Sequence, residues 1–148
     1  MATLDLRRPG RTRRRGSFRC AVVPLSDGPE CELVVDLACR LAADHGTVVA
    51  LFPVELELEF PLDAPAREED ARAHAVVERA LAIGSRYGVH VVPRIVHTRS
   101  RSDVILEEAV RRRADVIVLP LTRGKQRSLD FLLKHAPCRV LLASLPAE

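Results

Sequence analysis

The chain has 148 residues, 47% of them hydrophobic, which is the size and apolar content of one domain with a single core. Only 3% are aromatic and there is no Trp, so Val, Leu, Ile and Ala must fill the interior, as suits a parallel sheet covered by helices. No run of about 18 apolar residues free of charge occurs and no apolar segment follows the N-terminal arginines, which excludes a membrane span and a secretory signal and gives the cytoplasm as the expected location.

The formal charge of +3 hides an asymmetry. Residues 1–19 carry seven arginines against Asp5, a net of +6, and the remainder is −3. Residues 1–17 have few large apolar side chains and are expected to form a disordered basic arm, followed by one domain over 18–144 and a short tail, 145–148. Such an arm is either a solvated extension or a contact for an anionic surface or docking partner. Nucleic acid is not the expected partner.

From Phe18 onward short β-branched runs alternate with segments of helical period, the pattern of βαβ units. The first strand is expected at Cys20–Leu25. A Ser-Asp-Gly-Pro turn leads into a helix whose inner face reads Leu33, Val34, Leu37, Ala38, Leu41 and Ala42, ended by His45-Gly46. Thr47–Val54 reads as the second strand, and Glu55–Pro65 as an irregular excursion rich in acids and prolines. The second helix spans Arg67–Tyr87, with Gly88 as its stop. Val89–His97 is the third strand, and Pro93 in its middle, lacking a donor for the ladder, assigns it to a sheet edge. Ser102 or Asp103 is expected to cap a third helix with an inner stripe of Ile105, Leu106, Ala109 and Val110. Ala114–Leu121 is nearly all apolar and reads as a central strand, Ser128 opens a short helix carrying Leu129, Leu132 and Leu133, and Arg139–Ala143 is the last strand.

Right-handed crossovers make this order a single doubly wound, Rossmann-like α/β fold: a five-stranded parallel sheet, order 3-2-1-4-5, helices on both faces. The strand order reverses between the first and fourth strands, so a ligand is expected over Leu25–Glu30 and Pro120–Ser128. The candidate contacts are Ser26 and Asp27 in the first loop and Pro120, Arg123, Gly124, Lys125, Arg127 and Ser128 in the second. A basic loop opening into a helix suits an anion, but a phosphate cradle usually needs several glycines, and only Gly124 is present. An ordinary solvated turn with Ser128 as helix cap fits the same residues, and Asp-Gly-Pro is also common turn chemistry. None of the sequence signatures of nucleotide-loop, hydrolase or zinc-peptidase chemistry occurs, the five histidines are scattered, and Cys20, Cys31, Cys39 and Cys138 have no metal-ligand spacing and read as reduced thiols. No enzyme activity and no metal are expected.

The segments Cys20-Ala-Val-Val-Pro-Leu, Ala114-Asp-Val-Ile-Val-Leu-Pro and Leu133-Lys-His-Ala-Pro-Cys-Arg-Val-Leu-Leu, in this order, resemble a universal stress protein domain over residues 18–144. Pro61-Leu-Asp-Ala-Pro and Val96-His-Thr-Arg-Ser are similar to the stress-protein domains linked to amino-acid permeases. The resemblance implies the same sheet, a homodimer through the last strand, and in many members ATP bound by a Gly-x-x-Gly loop after the fourth strand, a later Gly-Ser or Gly-Thr, and an Asp after the first. Here Pro120 stands where the first glycine is expected, Gln126 replaces the later one, and Ser26 takes the place of the Asp, with Asp27 shifted by one. These departures argue against tight ATP binding. The reading is therefore a non-enzymatic stress-response or regulatory domain with a degenerate nucleotide site; the alternatives are an ATP-binding sensor with slow hydrolysis, or a module that docks on a transporter or on nucleic acid through the arginine arm.

Overall fold

The computed structural model describes residues 18–63, 65, 67–121 and 126–144. The expectations for the arm, the C-terminal tail and residues 122–125 lie outside them. The elements are β1 (Phe18–Pro24), α1 (Glu30–Leu41), β2 (Ala42–Glu55), α2 (Arg67–Tyr87), β3 (His90–Thr98), α3 (Arg101–Arg112), β4 (Val116–Pro120), α4 (Gln126–His135) and β5 (Arg139–Ala143). The sheet runs β3-β2-β1-β4-β5, parallel throughout, as the alternation of strand and helix patterns requires.

β1 lies at the centre because it is apolar on both faces. Ala21 and Val23 point into one core layer with Val34, Val35 and Ala38 of α1 and Val77 and Ala80 of α2. Val22 points the other way, to Val104, Ile105 and Ala109 of α3 and Leu132 of α4. Two helices therefore cover each face, and each fully buried Val or Leu contributes roughly 1.5–3 kcal/mol. Pro93 sits opposite Ala50 on β3, at the sheet edge, where its missing N–H costs no ladder bond. Gly88 ends α2 with φ +66°, the left-handed conformation a side chain resists. Gly84 lets α2 close on β3, since a Cβ there would lie 2.2 Å from Val91 Cγ2.

Several local expectations are corrected. α1 ends at Leu41, not at His45-Gly46; Ala42 is already extended, and the residue with positive φ is His45, inside a bulge that shifts the register from Phe18 opposite Ala42 to Cys20 opposite Thr47. The buried face of α1 is Cys31, Val34, Val35, Ala38 and Cys39, while Leu33 is 51% exposed: two cysteines acting as small hydrophobes rotate the apolar stripe. α3 is capped by Ser100, whose Oγ accepts from the Asp103 N–H at 3.3 Å, rather than by Ser102 or Asp103. Ser100 is held extended for this because the Thr98 hydroxyl accepts from its N–H at 3.0 Å and donates to its carbonyl at 2.9 Å. The inner stripe of α3 is Val104, Ile105, Glu108 and Ala109, with Val110 exposed. α4 starts at Gln126, so Ser128 belongs to its first turn instead of capping it, and Leu133 faces solvent.

Candidate functional site

The carboxyl ends of β1 and β4 diverge where the chain crosses from one side of the sheet to the other, and a cleft of about 80 Å³ opens there. Its floor is apolar, from Ile105 of α3, Leu119 of β4, and Leu129 and Leu132 of α4. Ser26, Glu30, Arg101, Ser102, Pro120 and Ser128 form the remainder of its lining.

Of the residues singled out from sequence, Ser26, Pro120 and Ser128 meet in this cleft. Asp27 is 59% exposed and pairs with Arg72 of α2 at 3.5 Å, and it does not line the cleft. Arg127 is exposed and also stands outside the lining. Arg123, Gly124 and Lys125 lie outside the described residues.

The β1–α1 turn is fixed from below. Cys31 Sγ accepts from the Ser26 N–H at 2.9 Å and donates to the Ser26 carbonyl at 2.9 Å, so the main chain at Ser26 is tied to the first turn of α1. Sequence reasoning read this thiol only as reduced and gave it no partner.

Arg101 is the larger omission. It is the first residue of α3, and its Nη1 donates to the Leu25 carbonyl at 3.0 Å, across to the end of β1. Its backbone N–H donates to the Glu55 carboxylate at 3.3 Å. Burial pulls the guanidinium below the ordinary arginine value, with nearby Cys31 and Glu55 opposing that shift. Nothing local in Val96-His-Thr-Arg-Ser-Arg-Ser distinguishes Arg101 from Arg99, which instead donates to the Glu57 carbonyl beside the excursion. The signal is tertiary, a contact between residues 76 apart.

The excursion after β2 is tied down by His97. Its Nδ1 lies 2.8 Å from the Leu62 carbonyl and its Nε2 2.8 Å from Asp70 Oδ1. Both partners only accept, so the ring satisfies them together as the doubly protonated imidazolium. The Asp70 bond first, then the Leu62 carbonyl, raises the His97 pKa above its ordinary value.

Elsewhere, burial first and then the charge of Asp115 raise the Cys20 and Cys138 thiols, keeping both protonated. Among the described residues no group of three or more His, Cys, Asp or Glu side chains is placed to hold a metal, and no helix is long and apolar enough to cross a membrane.

An open parallel α/β sheet with a cleft at its switch point defines a class of ligand-binding folds. Within that class, the model of the universal stress protein family matches residues 17–144, and the chain belongs to this family. Among solved structures it is similar to a protein from the universal stress protein family from Burkholderia pseudomallei, at 28% identity, covering 87% of this chain and 96% of that one, TM-score 0.67. A universal stress protein from Archaeoglobus fulgidus in complex with dAMP matches at 17% identity, covering 84% and 96%, TM-score 0.68. A universal stress protein family protein from Arabidopsis thaliana with AMP bound matches at 19%, covering 86% and 92%, TM-score 0.64. No curated protein matches the chain.

Proposed function

We propose that this chain is a non-enzymatic regulatory domain of the stress response that reads a small ligand in the cleft between β1 and β4, through a reduced form of a nucleotide site. The observation that carries this reading is the convergence of Ser26, Pro120 and Ser128 on one cleft at the switch point, although they come from segments about a hundred residues apart in the chain. The AMP and dAMP in the similar structures support an adenine nucleotide as the ligand class. The cleft formed by the described residues, at about 80 Å³, is far smaller than the ~300–1,000 Å³ usual for small-molecule sites, which favours a weakened site over tight ATP binding. The non-catalytic reading is supported by the hydroxyls on its rim. Among the described residues, Ser26 bonds only to Cys31, and neither Ser102 nor Ser128 is hydrogen-bonded to a histidine or carboxylate base.

The domain acts in the cytoplasm as a homodimer through Arg139–Ala143. Among the described residues β5 pairs only with β4 and no strand covers its outer edge, and self-pairing is an economical cover for such an edge. Docking on a membrane transporter is the alternative, favoured by the contact between the two segments that resemble permease-linked domains: the His97 ring meets the Leu62 carbonyl at 2.8 Å.

Calorimetric titration with AMP and with ATP and Mg²⁺, beside an Arg123→Ala/Arg127→Ala double variant, tests the reading. Weak AMP binding with weaker ATP binding is expected. Micromolar ATP binding that the double variant loses would make the protein a nucleotide sensor, and no heat with either nucleotide to millimolar concentration would remove nucleotides as ligands.

A further inference from the structure

Buried charges in folded proteins are paired, because removing a charge from water costs several kcal/mol unless another charge offsets it. Arg101, only partly buried, meets this rule through the nearby charge of Glu55 and without a direct ion pair. Its guanidinium lines the cleft, is partly buried, and among the described residues has no carboxylate within ion-pair distance. The hydrogen bond it makes is to a neutral carbonyl, that of Leu25. Glu55 accepts from the Arg101 backbone N–H and acts on the guanidinium by its charge alone, without an ion-pair contact. Glu30, the acid on the rim, is folded over Gly28, its Oε1 occupying the place a Gly28 Cβ would take. A guanidinium has five N–H donors in a planar fork that matches two oxygens of a carboxylate or phosphate.

We propose that the cleft is an oxyanion site anchored by Arg101, taking a phosphate or short carboxylate against its free donors, with the Ser26, Ser102 and Ser128 hydroxyls around the bound group and the apolar floor of Ile105, Leu119 and Leu132 beneath it. This rests on the reading of the cleft as a ligand site, and it names the chemistry the ligand must carry. The volume fits the charged group and a few further atoms, so a nucleotide would enter by its phosphate and leave its base outside the enclosed space. Desolvation of the guanidinium agrees, because an arriving oxyanion adds a bonded counter-charge to the unbonded one of Glu55.

The test uses the full chain, with thermal melts and titrations in inorganic phosphate, malonate and AMP, each against chloride at equal ionic strength, for the wild type, Arg101→Met and Arg101→Lys. Phosphate or malonate is expected to raise the melting temperature beyond chloride, the stronger of the two naming the source of the oxyanion. Arg101→Met should weaken that binding by about tenfold or more. Arg101→Lys keeps the charge but loses the fork, and should fall between. No gain over chloride in the wild type, or an equal gain in Arg101→Met, overturns the proposal. Should Arg101→Met not fold, Arg101→Lys decides: about threefold weaker binding supports the site and unchanged binding overturns it. AMP bound equally by wild type and Arg101→Met would keep the nucleotide reading and remove Arg101; phosphate bound through Arg101 without any AMP response would do the reverse.

Discussion

One helix, α3, carries a buried charge and a partly buried one, and they are treated in opposite ways. Glu108, 1% exposed, receives Arg111 Nη2 and Arg112 Nε, each at 2.9 Å, and Arg94 Nε lies 3.4 Å from its Oε1. Arg101, two turns earlier, faces the cleft with a neutral carbonyl as partner. The first arrangement ties α3 to β3 by ion pairs, with Arg94 Nε buried and making no hydrogen bond of its own; the second leaves guanidinium donors open toward the cleft. A buried charge ringed by ion pairs is structure, and a partly buried one with no ion-pair partner among the described residues, beside a cleft, is where a ligand belongs.

Breaking the closed cluster should have the largest effect. Glu108→Gln leaves three guanidiniums around a neutral group and is expected to cost about 3 kcal/mol in denaturant unfolding, without altering the ratio of phosphate to chloride response. A loss of oxyanion binding in a still-folded Glu108→Gln protein would show that the two sites are coupled. Ser100→Ala removes the cap at the Arg101 end of α3 and should cost about 1 kcal/mol, with weaker phosphate binding because the guanidinium is held less firmly. Arg101→Met should lie within about 1 kcal/mol of the wild type without ligand, in the stabilising direction, since it relieves an unpaired charge; a loss comparable to that of Glu108→Gln would mean that Arg101 is structural after all.

The smallest effect concerns pH. The raised pKa of His97 makes its clasp on Leu62 and Asp70 a contribution fully present below the ordinary histidine value of about 6.5 and lost as pH rises through the higher folded value. His97→Gln should flatten the melting temperature against pH across that interval, and an unchanged slope would remove His97 as its source.

The architecture was legible because its signals are local or follow from topology. Pro93 marked an edge, the run Ala114–Leu121 a buried strand, Gly88 a stop, and strand and helix alternation with right-handed crossovers left the order β3-β2-β1-β4-β5. Ser26, Pro120 and Ser128 followed from that order, as the residues at the switch point. What stayed hidden depends on residues brought together only by folding. Glu108 sits at a helical position that a hydrophobicity pattern assigns to solvent, and only Arg94 from β3, with Arg111 and Arg112, makes its burial tolerable. Asp27 looked like a ligand contact until α2 brought Arg72 beside it. Arg101 was one arginine among many until the β1 terminus met it.

The most direct test of a ligand cleft anchored by Arg101 is a nuclear magnetic resonance titration of the ¹⁵N-arginine-labelled full chain with inorganic phosphate and then AMP, following the assigned side-chain Nε–H signals. The account predicts that the Arg101 signal moves saturably while those of Arg111 and Arg112, already bonded to Glu108, stay in place. Movement of Arg111 and Arg112 with Arg101 unmoved, or no saturable movement at all, would contradict it.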